Sequence, residues 1–399
     1  MIYNILIALL WVSLLLGQLG VLPLAKAVHL YVQDMVLILI ILYAVFRDGL
    51  IGKLSRLRLA APIALFVGLG IMSLAANMTQ YPLAVTGKGS LYLWRWAVYA
   101  LFYAVVVNSP LSSRFWLRWL AGFGVALSIL GLLQLSLYPD LRNLWYLGWD
   151  PHYYRVFATL LDPNYVGILL VLTIFLWGYL FVTVKRKFQL LIGIGIAVSM
   201  VTMLLTYSRG SYLAFLVGIG VAVALLGWWK RGLFIGLIFL LAIVYIPKPG
   251  GQTLTLDRYD STVSRLQNWD QMIARIGERP VFGFGLNVVP FLSSGENRAL
   301  PGRAGAGIDS SILFVGVTTG IMGLAGYLWL LLQMVKPALT RKRTPLMIMY
   351  VSSFGAIIVH SLFVNSLFYP WVMVWLWTLV GVAEREALSN KAKLSNGKA

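Results

Sequence analysis

Residues 188–229 read FQLLIGIGIAVSMVTMLLTYSRGSYLAFLVGIGVAVALLGWW. Two apolar runs flank Tyr207-Ser208-Arg209-Gly210-Ser211, and each is long enough to cross a bilayer as a helix, which takes about 20 residues. The joint between them must therefore lie at a membrane boundary. Arg209 cannot leave that boundary, because both flanking helices anchor it. A permanent cation at such a depth is costly, and it is usually there to meet a fixed anion.

The rest of the chain repeats the apolar pattern. Of its 399 residues, 60% are hydrophobic and 11% charged, against about 25% charged in a soluble domain. Apolar runs recur from end to end, so the chain is an all-α polytopic membrane protein. The first run begins at Met1 and no small-residue cleavage site follows, which marks a retained span. With no cysteine, disulfides, thiolate metal sites and a cysteine nucleophile are excluded.

The net charge of +19 would suggest nucleic acid in a soluble protein. Its distribution excludes that partner. Basic residues fall in short alternating loops: Arg47 to Arg58, Arg114 and Arg118, Lys185 to Lys187, Lys230 and Arg231, Lys336 to Arg343, and Arg385 to Lys398. The positive-inside rule produces this alternation. About twelve spans are expected, at 2–23, 29–46, 59–76, 91–108, 118–137, 164–184, 188–206, 211–229, 233–247, 309–333, 345–365 and 369–384. Every basic loop then lies on the cytoplasmic side with both termini, and the basic tail after Glu386 is expected to be disordered.

Two outer connections are long. One runs from Tyr138 to Asp162 and is rich in Trp, Tyr and Pro. The other, 248–308, is the only soluble-like segment. Within it Ser261 or Thr262 can cap a helix, and Leu266, Trp269, Ile273 and Ile276 form an apolar stripe that Gly277 and Pro280 end. The spacing predicts a short amphipathic helix on the outer membrane surface or lidding a cavity.

Candidate chemistry gathers at the outer ends of the spans. Arg209, with Ser208 and Ser211, precedes a helix N-terminus, where unpaired amides favour an anion. Snorkelling to lipid phosphate is the plainer use of such an arginine. Arg265 sits one turn before Trp269 on the loop helix, with Arg275 and Arg279 nearby. Two arginines from separate elements can clamp a diphosphate through forked hydrogen bonds. Arg155 could add a third cation, and Arg95, about one turn inside the fourth span, could reach the same site. Asp309-Ser310-Ser311 opens a span and reads equally as a helix cap or as a carboxylate able to take a proton from an incoming hydroxyl. Asp162-Pro163 reads as cap plus first turn. Arg279-Pro280 through Gly285 reads as a shaped turn on the outer surface. His360 and Asn365 read as helix-packing hydrogen bonders. The outer loops hold no Asp-x-Asp pair and the three histidines are scattered, so no metal or other cofactor is expected.

Taken together, several motifs resemble the O-antigen ligase and polymerase superfamily: Thr206-Tyr207-Ser208-Arg209-Gly210; the long loop with Arg265 and Trp269; Arg279-Pro280 followed by Gly283-Phe284-Gly285; and Asp309-Ser310 followed by Gly320-Ile321-Met322-Gly323. Arg155-Val156-Phe157 before Asp162-Pro163-Asn164 is similar to an upstream family motif, and His360-Ser361-Leu362-Phe363 with Pro370-Trp371 to its last hairpin. The likeness spans roughly 130–385, which divides the chain into N-terminal spans (1–129), a catalytic region (130–385) and a basic tail (386–399). The resemblance implies a metal-independent, inverting glycosyltransferase at the outer face of the cytoplasmic membrane. Its donor would be a glycan on undecaprenyl diphosphate, gripped by Arg209 and Arg265, and its acceptor a glycan, lipid or protein. Ligases of the family often carry a histidine where this chain has Asp309 and Ser310; polymerase-like members often carry Asp-Asn or Asp-Ser there. The competing class is a transporter or flippase of a lipid-linked or anionic substrate. That class should place ionisable residues at the bilayer midplane and show related halves, and neither is evident.

Overall fold

Helices follow the apolar runs. The computed structural model describes residues 2–25, 28–147, 149–247, 259–289, 308–339 and 343–396. From the N-terminus, α1 (Ile2–Leu16) leads through a hairpin of β1 (Val21–Ala25) and β2 (Val28–Tyr31) to α2 (Val32–Asp48), α3 (Leu50–Leu54), α4 (Ala60–Ala76), α5 (Leu83–Asn108) and α6 (Ser113–Leu137). After the first long connection come α7 (Pro163–Thr183), α8 (Gln189–Leu204), α9 (Arg209–Leu226) and α10 (Trp229–Tyr245). The second long connection carries α11 (Tyr259–Glu278), and α12 (Ser311–Leu339), α13 (Pro345–Phe363) and α14 (Pro370–Asn396) complete the chain.

The fold class is that of an all-α polytopic membrane protein. Among the described residues, eight helices are long and apolar enough to cross a bilayer by length and composition, and the 17-residue α4 is a shorter apolar helix. α2 and α10 also have 17 residues. Large apolar side chains such as Phe46, Leu83, Leu190 and Leu233 are exposed on the helix surfaces. In water that surface would be untenable, and in hydrocarbon it is required. The core lies around α7 and α14, where Val166 through Leu176 and Trp371 through Val382 are almost continuously buried.

Cross-contacts sort the connections into two ends. At one, Arg58 pairs with Glu384 at 3.2 Å, Arg385 donates to the carbonyls of Val106 and Leu111 at 3.0 and 2.6 Å, and Arg343 donates to the Leu225 carbonyl at 3.0 Å. This is the basic end. At the other, Thr159 donates to the Leu15 carbonyl at 2.8 Å, Val156 N–H to the Leu205 carbonyl at 2.9 Å, and Leu367 N–H to Ser311 Oγ at 3.1 Å. This is the loop end, where both long connections meet.

Several local expectations are corrected. The fourth span, expected from residue 91, sits in a helix that begins at Leu83. Within its first turns Gly89 passes close to the Leu286 carbonyl, which would lie 2.6 Å from a Cβ placed there. The tail expected to be disordered continues α14 as far as Asn396. The helix expected to start at Ser261 or Thr262 is already helical at Tyr259, and the side chains of Ser261 and Thr262 lie outside the described residues. The expected apolar stripe divides: Trp269 packs on Phe363 of α13 (centroids 5.6 Å apart) and Ile276 on Gly316 of α12, with Met272 buried between them at 6% exposed, whereas Leu266 and Ile273 are 54% and 56% exposed.

The turn from Arg279 to Gly285 is not a surface turn. It is inserted into a break in α12 at Gly320, whose φ of 66° and ψ of −169° are not helical. The break frees backbone groups that the turn satisfies. Phe284 N–H donates to the Val317 carbonyl at 3.0 Å, Gly285 N–H to the Thr318 carbonyl at 2.9 Å, and Ile321 N–H to the Pro280 carbonyl at 2.7 Å. Irregular backbone within a membrane is tolerated only where protein supplies such partners. Gly283 (φ 64°) has no room for a Cβ, which would lie 2.5 Å from the Val317 carbonyl oxygen. The joint fixes the C-terminal end of α11, and with it the placement of Arg265.

Candidate active site

The loop end builds its site on the start of α9. Tyr207 adopts a left-handed φ of 50°, which costs a non-glycine residue about 1–2 kcal/mol. Arg155 holds it there: its Nε donates to the Thr206 carbonyl at 2.9 Å and its Nη2 to the Tyr207 carbonyl at 3.3 Å, while Nη1 meets His152 Nδ1 at 3.3 Å. The Tyr207 hydroxyl donates to the Pro247 carbonyl. The sharp turn brings Ser208 into the N-cap position of α9, where its Oγ accepts from Ser211 N–H at 3.4 Å. Arg209 follows as the first helical residue, with its side chain exposed.

Beneath Arg209 runs a buried polar chain. Ser208 Oγ donates to Asn164 Oδ1 at 2.9 Å, and Ser211 Oγ donates to Ser208 Oγ at 3.0 Å. Ser211 Oγ also meets His360 Nε2 at 3.3 Å, and His360 Nδ1 meets Ser366 Oγ at 2.6 Å. These contacts tie the starts of α7 and α9 to the end of α13. His360 and Ser211 are fully buried.

Charged groups converge above that chain. The field of Arg265 reaches Arg209, Asp309, Asp150 and His360. α11 therefore carries its guanidinium within electrostatic reach of the α9 guanidinium, against the mutual repulsion of two cations. Arg265 and Asp309 are half-buried, while Arg209 and Asp150 remain open to solvent. These groups gather at a partly open face of the protein, a cleft in the sense that burial strips part of the water from Asp309 and Asp150 while Arg209 stays exposed. Desolvation pushes the Asp309 carboxyl above the ordinary carboxylate range; Arg265 opposes the shift and Asp150 adds to it. Desolvation also raises Asp150, with Arg155 and Arg265 opposing. Asp162 is raised by burial as well, offset first by the Asn164 N–H bond. A carboxyl whose affinity for protons is raised by burial next to a cation is suited to general-base work.

The sequence candidates fall into distinct places. Arg209, Arg265 and Asp309 come together. Ser310, not Asp309, caps α12, its Oγ accepting from Leu313 N–H at 3.4 Å, so the Asp309 carboxylate makes no hydrogen bond among the described residues. Asp162 caps α7, accepting from Asn164 N–H at 2.7 Å. Arg155 stands at the same loop junction, but its guanidinium is buried and bound to backbone carbonyls, which makes it a strut for the Arg209 turn. Trp269 fastens α11 to α13. Arg279 belongs to the α12 joint, donating to Asn77 Oδ1 and, at 3.1 Å, to the Tyr81 hydroxyl. Arg95 forms an ion pair with Asp34 at 2.9 Å in the N-terminal half, where Tyr99 donates to the same carboxylate at 2.7 Å.

Sequence reasoning missed Asp150, and missed that His360 and Asn164 underlie Arg209. Asp140 and Asp150 look alike in the first long loop. Only the fold separates them: Asp140 binds Arg142 at 2.7 Å, whereas the Asp150 carboxylate makes no hydrogen bond among the described residues and faces Arg155 and Arg265. Among the described residues no group of three His, Asp or Glu side chains is arranged to hold a metal ion.

Comparison with known families supplies an independent finding. Residues 194–328, about a third of the chain, match the O-antigen ligase family. The match supports the O-antigen ligase/polymerase superfamily and a membrane enzyme of that type. It contains Arg209, Arg265, Asp309 and the α12 break, while Asp150, Arg155 and His360 lie outside it. No curated protein matches the chain.

Proposed function

We propose that the cleft transfers a glycan from a polyprenyl diphosphate carrier, undecaprenyl diphosphate by the family resemblance, to a hydroxyl of a glycan, lipid or protein acceptor. The observation that carries this reading is the convergence of Arg209 and Arg265, from two separate elements, beside the proton-avid carboxyl of Asp309. Two cations within electrostatic reach of each other, Arg209 exposed and Arg265 half-buried, call for a multivalent anion, and a lipid-linked diphosphate presents one at membrane depth.

In the proposed reaction the two guanidinium groups bind the diphosphate. The acceptor hydroxyl approaches the anomeric carbon from the face opposite the diphosphate, and its proton passes to the Asp309 carboxylate. The new glycosidic C–O bond forms as the bond to the diphosphate oxygen breaks, with inversion, and the electron pair leaves on the diphosphate. Negative charge grows on that oxygen in the transition state, so fixed cations there lower the barrier. Neutralising the leaving group with arginine lets the reaction run without a metal. Asp150, within electrostatic reach of both Asp309 and Arg265, would accept hydrogen bonds from the acceptor.

The basic end carries the positive loops, which the positive-inside rule assigns to the cytoplasm. The site then opens on the outer face of the cytoplasmic membrane, with both termini inside. The test is transfer by purified protein in detergent from a lipid-linked glycan, with mass analysis of the product. A new glycan linkage supports the reading. Carrier and glycan left joined under all acceptor conditions, with transport intact in vesicles, would replace it with the transporter reading.

A further inference from the structure

Among the described residues, His360 links α13 through its side chain to the turn that presents Arg209. Its ring is fully buried between two hydroxyls, with Nε2 3.3 Å from Ser211 Oγ and Nδ1 2.6 Å from Ser366 Oγ. It also lies directly under Gly210: a Cβ on that glycine would stand 3.5 Å from His360 Cδ2 and 3.6 Å from Nε2. Ser211 passes the contact to Ser208 Oγ and the Asn164 carbonyl, at 3.0 and 3.3 Å. Ser208 closes it on Asn164 Oδ1 at 2.9 Å. The two residues flanking Arg209-Gly210 are thus pinned to α7 and α13, and the ring forms the floor on which the Arg209 backbone rests.

The two ring nitrogens do different work. Nδ1 serves the turn after α13, where Ser366 also donates to the Val364 carbonyl at 3.3 Å and Leu367 N–H reaches Ser311 Oγ at 3.1 Å. Nε2 serves α9. A buried polar chain of this kind specifies one arrangement of the elements it joins, because any alternative leaves a hydroxyl or ring nitrogen without a partner.

We infer that His360 is a positioning residue for donor binding, acting through Ser211 to hold the Arg209 guanidinium at the diphosphate. The inference rests on the proposed donor reading of Arg209. Its geometry separates two substitutions that retain one nitrogen each: the longer glutamine amide replaces Nε2 and keeps Ser211, whereas the shorter asparagine amide replaces Nδ1 and keeps Ser366.

The probe is farnesyl diphosphate, which joins an isoprenoid tail to the diphosphate, titrated against the full chain in detergent, with thermal unfolding followed in parallel. His360→Gln should bind within about threefold of the wild type, while His360→Asn should bind about tenfold or more weakly, with a lowered unfolding midpoint that still leaves the variant folded at the assay temperature. In transfer assays the loss should appear in KM for the donor more than in kcat. Arg209→Ala is measured alongside. If Arg209→Ala is weakened and His360→Asn binds as the wild type does, the positioning role is wrong. If His360→Gln is the weaker of the pair, the ring serves the 364–366 turn and the role is also wrong. If Arg209→Ala itself binds normally, the donor reading has failed.

Discussion

Replacing Arg265 by alanine removes a charge that reaches Arg209, Asp309, Asp150 and His360. Two effects should follow. The first is loss of transition-state stabilisation. A unit charge pair at 4 Å interacts with about 4 kcal/mol at an effective dielectric of 20, and losing one preorganised donor to a developing oxyanion costs about 2.7–4 kcal/mol, or roughly 10²–10³ in rate. Arg265 is half-buried in an open cleft, so about 10² is expected. The second effect is on protons. Arg265 holds both Asp309 and Asp150 below where desolvation alone would put them. Without it both carboxyls rise further, and the acid limb of the rate profile should move to higher pH. The sign matters: a base must be ionised, so a higher pKa means activity is lost earlier as pH falls. Arg265→Lys keeps the charge but not the fork, and should lose about tenfold with a smaller shift of the limb. The assay is glycan transfer in detergent across pH, at limiting and saturating donor, with thermal unfolding as the control for folding. Transfer by the alanine variant within twofold of the wild type, or an acid limb that moves downward, would refute the reasoning.

Further expectations concern neighbouring elements. Asp309→Asn should abolish pH-dependent transfer with a loss of about 10²–10⁴ in kcat while leaving farnesyl diphosphate binding intact or tighter, since a carboxylate near the diphosphate is gone; Asp150→Asn should raise acceptor KM, and a larger kcat loss for Asp150→Asn than for Asp309→Asn would exchange the two roles. Gly283→Ala should lower the thermal midpoint and misplace α11, because its Cβ would meet backbone 2.5 Å away at a φ of 64°, a strain of about 1–3 kcal/mol before the clash is counted; an unchanged midpoint would mean that the α12 joint is softer than it looks. Arg95→Ala should cost about 3–5 kcal/mol of stability by leaving Asp34 buried without its cation, and a variant that folds normally yet fails to bind farnesyl diphosphate would return Arg95 to the phosphate site.

How much of this was legible depended on the range of the interaction. Arg209 could be located from sequence because its two apolar flanks fix its depth, and a cation at that depth has few uses. Arg265 and Asp309 could be proposed because each belongs to a motif. Nothing local marked Asp150, whose role comes from the first long loop folding back onto the turn before α9. The stripe on α11 was legible at Trp269 and Ile276 but not at Leu266 and Ile273, because the buried face follows the two helices it packs on, α12 and α13. The Arg279–Gly285 turn looked like surface because the break in α12 that receives it lies about forty residues away in the chain.

By itself the sequence determined that the chain lives in a membrane, that its helices alternate between a basic end and a loop end, and that a cation waits at one boundary. Those are consequences of hydrophobic run length and of charge being confined to water, and both act along the chain. Only the tertiary structure decided which arginines face the cleft, which serve as struts or buried ion pairs, and which carboxylate stands free beside them. A guanidinium has the same chemistry in all these settings, and its function is set by the partners that packing brings within reach.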